Sequence, residues 1–473
     1  MIDPRNHRAI SRRDFLRASA AAAAFSIVPA SVLGQNAPSK QINIAIIGAG
    51  GQGRTNAQGL LQHNDARIVA LCDVNEIADY DKFYYRGVAG RRPVRELIEK
   101  HYAKQKAARA YNGCKEFIDF RDLLAKDPGL DAVLIATPDH VHAFATLAAL
   151  KKHKHVYCEK PLTHSVAEAR KIAAAARAAG VVTQMGNQGH SGEGIRLTCE
   201  WIWDGAIGDV HTVHAWSDTG YWAGKLTGRP TDTPPLPKGL HWDLWLCAAQ
   251  KRPYHPAYHP FNWRGWWDFG TGTIGDMACH NMDPAFWALK LGHPATVEGN
   301  PTELVSAETT PNKNIIRYEY PARDGMPPVQ IIWHDGGLRP NRPAELEEGR
   351  RMDTNGIIFH GAKGVIMCPG WAGTPRIIPE TKMKAYKRPP KSLPRTRGHH
   401  RDWLDAIHQG GAARSSADFA YSAHLTEVIL LGNVALRTGK KLQWDGKNMK
   451  ATNAPEADKF INPPRYNNWS LDA

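Results

Sequence analysis

The chain has 473 residues, of which 42% are hydrophobic and 22% charged, and this composition indicates a folded globular protein and excludes an intrinsically disordered one. The formal net charge is +14, but lysine and arginine are scattered in short clusters, so we interpret the charge as solvated surface and expect no nucleic-acid partner. The seven cysteines contain no Cys-x-x-Cys pair, which argues against a metal site.

The first 34 residues have the features of an export signal. Residues 11–17 read Ser-Arg-Arg-Asp-Phe-Leu-Arg, and a short alanine-rich apolar run follows at 18–28. A basic start, a short apolar stretch and a small-residue exit are typical of a removable signal, and Arg12 with Arg13 indicates the twin-arginine route for folded proteins. The run is too short for a stable membrane span. We therefore expect export by the twin-arginine machinery to the periplasm; the alternative is an N-terminal helix that stays on the protein.

Strands and helices alternate between residues 41 and 187. Residues 42–47 alternate isoleucine with small residues and predict a buried strand, and residues 66–72 predict a second one after a glycine-rich turn and a helix. Residues 75–112 are long for one crossover, so their aromatic-rich first part is interpreted as an insertion near the cofactor edge of the sheet. The later predictions are strands at 132–136, 155–158 and 181–184 and helices at 94–109, 140–150 and 166–179. This rhythm predicts an α/β domain with a doubly wound parallel Rossmann sheet over residues 41–187.

The alternation of strands and helices ends after residue 187. The predicted elements are helices at 193–204, 399–409 and 416–437, strands at 209–216, 315–320, 329–334 and 441–444, and a hairpin of 356–360 with 365–368. They predict an α+β domain with a large open, mostly antiparallel sheet over residues 188–446. Residues 447–473 are interpreted as a surface tail. No segment after the signal is expected to span a membrane.

A dinucleotide-binding fingerprint lies in the first turn. Residues 48–53 read Gly-Ala-Gly-Gly-Gln-Gly, with a predicted strand before them and a helix after them. Gly48 allows the tight turn, Gly50 lets the backbone approach a pyrophosphate, and Gly53 lets helix and strand pack closely. The helix N-terminus presents N–H groups to phosphates, so Gly51 and Gln52 are also assigned to cofactor binding. The alternative is a glycine-rich turn in a fold that has lost its cofactor.

An acidic residue selects the kind of nucleotide. Asp73 lies at the end of the second strand, twenty residues after Gly53. A carboxylate there binds the adenosine ribose hydroxyls and repels a 2′-phosphate. The sequence therefore predicts NAD in preference to NADP, with Arg54 beside the fingerprint as the feature that favours NADP.

Two later strands end in candidate site residues. Thr137 and Pro138 follow the strand at 132–136, at the edge where parallel sheets bind ligands, and are expected under the nicotinamide ribose. Glu159 and Lys160 follow the next strand, where a lysine can donate a hydrogen bond to a reacting carbonyl oxygen. The alternative for these two is an ordinary Glu–Lys surface pair.

Asp276 and His280 are a candidate acid–base pair. They are four residues apart and so share one face of a helix. A histidine suits general-base work on a sugar hydroxyl, and we expect the carboxylate to fix its tautomer and favour its protonated form. A structural histidine is the alternative.

Together and in this order, the motifs resemble those of the Gfo/Idh/MocA family of oxidoreductases, over residues 41–445. The resemblance implies tightly bound NAD, Lys160 and His280 as the catalytic pair with Asp276 in support, and His140 as a further cofactor residue. It also implies a Rossmann domain followed by an α/β domain whose open sheet forms homodimers or homotetramers.

Residues 239–270 contain an unusual density of aromatic rings and histidines. Aromatic faces stack on the C–H faces of sugars while their polar groups meet hydroxyls. His259, Trp263 and Arg264 are therefore assigned to substrate binding. Gln188 and His190 join them because they follow the last Rossmann strand. Core packing or an oligomer contact is the alternative.

These expectations describe an exported NAD-dependent oxidoreductase that acts on a hydroxyl of a carbohydrate or polyol by hydride transfer. Outside the cytoplasm the nucleotide must be restored in place, by a second substrate or by a closed redox cycle. The first alternative is a redox-neutral glycoside hydrolase that transiently oxidises C3, eliminates the glycoside and returns the hydride. The second is a sugar-binding protein without catalysis.

Overall fold

A six-stranded parallel sheet is the framework of the first half of the protein. The computed structural model describes residues 41–105, 113–220, 228–302, 306–410 and 413–472, so the predicted export segment lies outside the described residues. The strands are β1 (Ile42–Ile47), β2 (Ala66–Cys72), β5 (Lys115–Phe117), β6 (Ala132–Ile135), β7 (His155–Cys158) and β8 (Thr183–Met185). Their order is β5-β2-β1-β6-β7-β8, and all neighbouring pairs are parallel, which confirms the predicted doubly wound sheet.

Helices cover both faces of this sheet, which is why its central strands β1 and β6 are largely hydrophobic. They are α1 (Gly51–Leu60), α2 (Arg91–Gln105), α3 (Phe120–Lys126), α4 (Asp139–Lys151) and α5 (Val166–Ala179). Alternate residues of β1 enter different core clusters: Ile44 and Ile46 pack with α1 and α2, whereas Ala45 and Ile47 pack with α3, α4 and α5. The predicted insertion forms a short hairpin of β3 (Ala78–Asp79) and β4 (Val88–Ala89).

The sequence analysis did not predict β5 or α3. β5 is an edge strand of only three residues, Lys-Glu-Phe, and none of them is fully buried. A strand so short shows no hydrophobic periodicity. α3 has seven residues, and its start depends on Asp119, whose side chain accepts a hydrogen bond from the Arg121 N–H at 2.8 Å.

A nine-stranded sheet organises the rest of the chain. Its strands are β9 (Val210–Ser217), β10 (Thr296–Pro301), β11 (Asn314–Tyr320), β12 (Val329–His334), β13 (Asn355–Gly361), β14 (Gly364–Pro369), β15 (Arg376–Ile378), β16 (Leu442–Asp445) and β17 (Lys450–Ala451). The order is β15-β14-β13-β9-β12-β11-β10-β16-β17, and only β9 and β12 pair in parallel. The predicted open, mostly antiparallel sheet is confirmed.

The second half of the chain contains one long helix and several shorter ones. They are α6 (Glu193–Trp203), α7 (Trp242–Leu246), α8 (Gly272–Asn281), α9 (Asp283–Ala288), α10 (Glu380–Ala385), α11 (His399–Gln409), α12 (Phe419–Thr438) and α13 (Asp458–Ile461). α12 packs against α5, α8 and β10, so it joins elements of both sheets. By length and composition it could cross a membrane, contrary to the sequence expectation, but 83% of its most apolar window is buried within the protein. It is the core helix of this fold.

The C-terminal tail, predicted as a surface segment, is mostly exposed but also contributes to the large sheet and to the core. β17 pairs with β16 and so extends the large sheet by one strand. Further on, Ala457, Ile461 and Leu471 are buried. A few side chains of the tail therefore join the hydrophobic core, whereas most of its residues are exposed.

Candidate active site

A cavity of about 460 Å³ lies at the carboxyl ends of the parallel strands, where the first sheet meets α8. Open parallel sheets bind ligands at this edge. Most of the site residues predicted from the sequence line it: Gly48, Gly50, Gly51, Gln52, Asp73, Thr137, Pro138, Glu159, Lys160, Gln188, His259, Trp263, Arg264, Asp276 and His280. Gly53, His140 and His190 are outside the lining.

The glycine turn fits a pyrophosphate. Gly48 has a φ of +90°, and a Cβ on it would lie 2.6 Å from the backbone of Ala136. A Cβ on Gly53 would lie 1.9 Å from the Gly48 carbonyl oxygen, so glycine there allows α1 to pack closely on β1. α1 starts at Gly51 without a side-chain cap and without an acidic residue in its first turn. Its positive end is therefore suited to a phosphate.

The β3–β4 hairpin places two tyrosines against this turn. The Tyr80 hydroxyl lies 2.6 Å from the position of a Cβ on Gly50, and the Tyr85 ring lies 2.2 Å from that of a Cβ on Gly51. Glycine at both positions therefore leaves room for the two tyrosines. Phe83 in the same hairpin stacks on Phe261, with ring centroids 4.4 Å apart, and Tyr80, Tyr84 and Tyr85 contribute to the wall of the cavity.

Asp73 stands where a nucleotide ribose is expected. Its carboxylate accepts hydrogen bonds from the N–H groups of Ala49 at 2.6 Å and Asn75 at 2.7 Å. Burial raises its pKa to about 6, so the group is mainly ionised at neutral pH. Arg54, the feature that favours NADP, donates instead to the carbonyl oxygens of Val88 and two hairpin residues. The charges at this end of the cavity therefore suit NAD.

Lys160, Asp276 and His280 meet in the cavity, although the lysine comes from the end of β7 and the other two from α8. Lys160 Nζ donates to Asp276 Oδ1 at 2.5 Å and to the Asp276 carbonyl oxygen at 2.9 Å. His280 is 4% exposed, and its Nδ1 has no hydrogen-bond partner among the described residues. The expectation that Asp276 fixes the tautomer of His280 is therefore wrong, because the carboxylate holds the lysine.

The charges in this cluster follow from burial and from this pairing. Burial lowers the pKa of His280 to about 3, and the Lys160 charge adds to the effect, so the imidazole is neutral and not protonated as expected. Burial alone would raise the pKa of Asp276, but Lys160 and Arg264 outweigh it and lower that pKa. Burial alone would lower the pKa of Lys160, but Asp276 outweighs it and raises that pKa.

Glu159 is not a surface partner of Lys160. Its Oε1 accepts from Asn56 Nδ2 at 2.8 Å, from Gln52 Nε2 at 3.1 Å and from Gln188 Nε2 at 3.5 Å. Burial raises the pKa of its carboxyl group. The residue holds α1 and the segment after β8 together beneath the cavity.

Two predicted site residues have structural positions instead. His190 Nδ1 lies 2.9 Å from Asp283 Oδ2, and its ring stacks on Trp287 at 4.6 Å, so the substrate assignment is wrong for this residue. His140 points both ring nitrogens at backbone carbonyl oxygens, those of Trp245 at 2.8 Å and a neighbouring loop at 3.2 Å. It fastens α4 to the aromatic segment and does not line the cavity.

The aromatic segment serves two purposes. Trp242, Trp245 and Trp266 belong to a buried cluster. Part of the segment therefore serves core packing, which was the alternative interpretation of its rings. Trp263 and Arg264 face the cavity, with the guanidinium 4.3 Å above the tryptophan ring. Arg264 Nε also lies 4.0 Å from the Asp276 carboxylate, which adds a second cation to the site.

Asp139, Trp371 and Trp469 are among the lining residues that were not predicted as site residues from the sequence. Asp139 accepts a hydrogen bond from the Thr271 hydroxyl at 2.7 Å, and burial raises its pKa to about 7. It stands in the Thr137 motif and could have been noticed there. Trp371 lies opposite His280, with ring centroids 6.2 Å apart, and Trp469 comes from the tail. Nothing in the local sequence marks either tryptophan.

One cluster outside the cavity has the side chains of a metal site. The ligand atoms of His293, His424 and Glu427 lie within 4.8 Å of one another. Both oxygens of Glu427, however, accept hydrogen bonds from Arg170 at 2.6 Å. A guanidinium in that position opposes a dication, so the cluster is an ion-pair network.

Comparison with known proteins identifies the family. The model of the Gfo/Idh/MocA oxidoreductase family, NAD-binding Rossmann fold, matches residues 84–187, and the model of its C-terminal alpha/beta domain matches residues 201–471. A solved structure of the WlbA dehydrogenase from Bordetella pertussis, in complex with NADH and UDP-GlcNAcA, has the same fold. The two structures superpose with a TM-score of 0.54, and their sequences are 16% identical. The match covers 85% of this chain and 99% of the WlbA chain.

Two relatives are similar over shorter stretches. The 1,5-anhydro-D-fructose reductase of Ensifer adhaerens is 37% identical over 182 residues, which are 38% of this chain and 43% of the reductase. A glycosyl hydrolase family 109 protein of Stenotrophomonas maltophilia is 32% identical over 151 residues, which are 32% of this chain and 30% of that protein. The chain thus matches less than half the length of either relative. The two matched domains together show that this chain belongs to the Gfo/Idh/MocA family of oxidoreductases and has its NAD-binding Rossmann domain.

Proposed function

We propose that the protein is an NAD-dependent oxidoreductase that acts on a hydroxyl-bearing carbon of a carbohydrate or polyol. The observation that carries the proposal is a neutral histidine and an ion-paired lysine in the same cavity as the glycine turn. NAD, when bound, takes up or returns the hydride. Gly50, Gly51 and Asp73 would hold its pyrophosphate and adenosine ribose.

The protein's own groups manage the proton and the charge on oxygen. His280 accepts the proton of the substrate hydroxyl, because its imidazole is neutral at pH 7. Lys160 donates a hydrogen bond to the same oxygen as it becomes a carbonyl, and its positive charge stabilises the charge that develops there. Asp276 is a positioning residue that keeps Lys160 charged and aimed into the cavity.

The substrate class is inferred from the rest of the lining. Trp263 offers an aromatic face to the C–H side of a sugar, while Gln188 and His259 offer polar atoms to hydroxyls. The similarity to a 1,5-anhydro-D-fructose reductase favours the same class. Arg264 adds a positive charge that would accommodate an acidic sugar.

The test is single-turnover reduction of the bound nucleotide, read by absorbance, with a panel of sugars, polyols and glycosides. At least one of them should reduce the parent enzyme's nucleotide, and His280→Ala should be slower by about 10²–10⁴-fold. His211→Ala is the matched control, because His211 is exposed on β9. If no compound in the panel reduces a fully loaded enzyme, the oxidoreductase proposal fails.

A redox-neutral glycoside hydrolase is the second candidate. It is favoured by the similarity to a family 109 protein and by Asp139, whose pKa of about 7 leaves it able to donate a proton to a leaving group. In this case a nitrophenyl glycoside would release nitrophenol with no lasting rise in NADH. The C2 hydrogen would exchange with deuterated water. Net accumulation of NADH without release of the aglycone would exclude it.

Export and assembly are further parts of the proposal. The twin-arginine motif supports a periplasmic location, where tight retention of NAD would be needed because free nucleotide is scarce. The open nine-stranded sheet supports a homodimer or homotetramer, which light scattering would detect.

A purely sugar-binding role would require that the purified protein contain no nucleotide and bind none.

A further inference from the structure

The cofactor cleft has a far end that the C-terminal tail closes. In a Rossmann fold the adenosine lies beyond the acidic residue that follows β2, so the part of the cavity past Asp73 and away from Lys160 is the adenine end. Its wall contains Asp119 and Phe120, at the start of α3, together with Trp469 from the last residues of the chain. The tail is thus placed against the nucleotide site.

Hydrogen bonds and burial hold the tail in this position. The Tyr466 N–H donates to the Ala248 carbonyl oxygen at 2.9 Å, and Asn467 Nδ2 donates to two carbonyl oxygens of the same turn at 2.9 and 2.7 Å. Leu471 is buried, and Asp472 pairs with a lysine of α5. The backbone on both sides of Trp469 is therefore fixed.

Trp469 itself rests on groups that line or flank the cavity. Its ring lies 5.8 Å from that of Phe120 and 5.5 Å from that of Phe144, measured between centroids. The Arg121 guanidinium lies over the Trp469 ring, 4.4 Å from its centroid. Both carboxylate oxygens of Asp119 accept hydrogen bonds from Arg121 Nε. The guanidinium thus covers one face of the ring, and the part of Trp469 that lines the cavity offers a preformed aromatic contact for a flat base.

We propose that Trp469 is an adenine-binding residue and that the tail retains NAD in the protein. Contact between an aromatic side chain and a base contributes about 1–3 kcal/mol by alanine substitution. At 1.4 kcal/mol per tenfold, this corresponds to about 5- to 150-fold in affinity. The proposal depends on the NAD-binding domain alone, so a failure to find a sugar substrate would leave it intact.

The experiment measures nucleotide affinity in the full chain after bound nucleotide has been removed. Calorimetry with ADP-ribose should show Trp469→Ala weaker than the parent by at least about fivefold, and NADH dissociation should accelerate by a similar factor. Nicotinamide mononucleotide, which lacks the adenine, should bind both proteins equally. Trp469→Leu keeps an apolar group on Phe120 and Phe144 but removes the aromatic face, so it should also lose affinity for ADP-ribose while remaining folded.

The matched control is Tyr466→Ala, which keeps the backbone hydrogen bond and removes a side chain that is 43% exposed. It should bind ADP-ribose like the parent. Equal affinity of the parent and Trp469→Leu for ADP-ribose would overturn the proposal. So would an equal loss for ADP-ribose and nicotinamide mononucleotide, because that would indicate a general change in the fold.

Discussion

The Lys160–Asp276 pair allows the electrostatics of the site to be tested through stability. Asp276→Asn keeps the shape of the side chain but removes the charge that Lys160 meets at 2.5 Å. The two side chains are 17% and 12% exposed, so the lysine charge is left buried beside the Arg264 cation. Removal of one partner of a buried pair costs about 3–5 kcal/mol. We expect the free energy of unfolding at pH 7 to fall by about 3 kcal/mol, the lower end of this range. The loss is limited because Lys160 can release its proton and so avoid a buried, unpaired charge.

The same substitution should reverse the pH dependence. In the parent, burial lowers the pKa of Lys160 but Asp276 outweighs it, so the folded-state pKa is raised. The stabilisation is therefore complete below the unfolded pKa of about 10.4 and is lost as pH rises through the folded pKa. In Asp276→Asn burial, the largest cause, and Arg264 lower the pKa of Lys160 and only Tyr84 opposes them, so we expect the folded pKa to fall below the unfolded one. The stability of this variant should then increase as pH rises toward about 10.

The assay is urea unfolding followed by tryptophan fluorescence at several pH values between neutral and alkaline. Lys160→Met combined with Asp276→Asn removes both charges and should recover much of the lost stability. Asp243→Asn is the matched control, because Asp243 is exposed on α7. Parallel stability–pH curves for the parent and Asp276→Asn would refute the reasoning, and so would a double variant no more stable than the single one.

Three other predictions concern chemistry, cofactor and export. His280→Ala should slow nucleotide reduction by about 10²–10⁴-fold without weakening NADH binding, as measured by stopped-flow absorbance; an unchanged rate would remove His280 from the mechanism. Asp73→Ser should improve NADP binding relative to NAD by at least about tenfold in calorimetry, because about 1.4 kcal/mol of charge repulsion is enough for that change. Lys substitutions of both Arg12 and Arg13 should leave the protein in the cytoplasm on cell fractionation, and normal export of that variant would contradict the twin-arginine assignment.

Local sequence was sufficient to predict those strands, turns and helices whose structure is determined by their own residues. β1 and β2 are mostly apolar runs, and Gly48 in the turn between them has a φ of +90°, which favours glycine, so strand, turn and helix could be predicted together. α12 is long and mostly apolar and was also predicted, but its composition does not distinguish a core helix from a membrane span. Only its burial against α5 and β10 does so.

The partners of the site residues were decided by tertiary structure. The spacing of Asp276 and His280 correctly placed them on one helix face, yet Asp276 pairs with Lys160, which the fold brings from the end of β7. The loss of solvent around His280, and not the nearby carboxylate, determines its charge. Trp469 reaches the cavity only because the tail crosses back to α3. Residue types and local spacing therefore identified the family and a set of site residues most of which line the cavity. Hydrogen-bond partners and protonation states depend instead on burial and on contacts between distant segments.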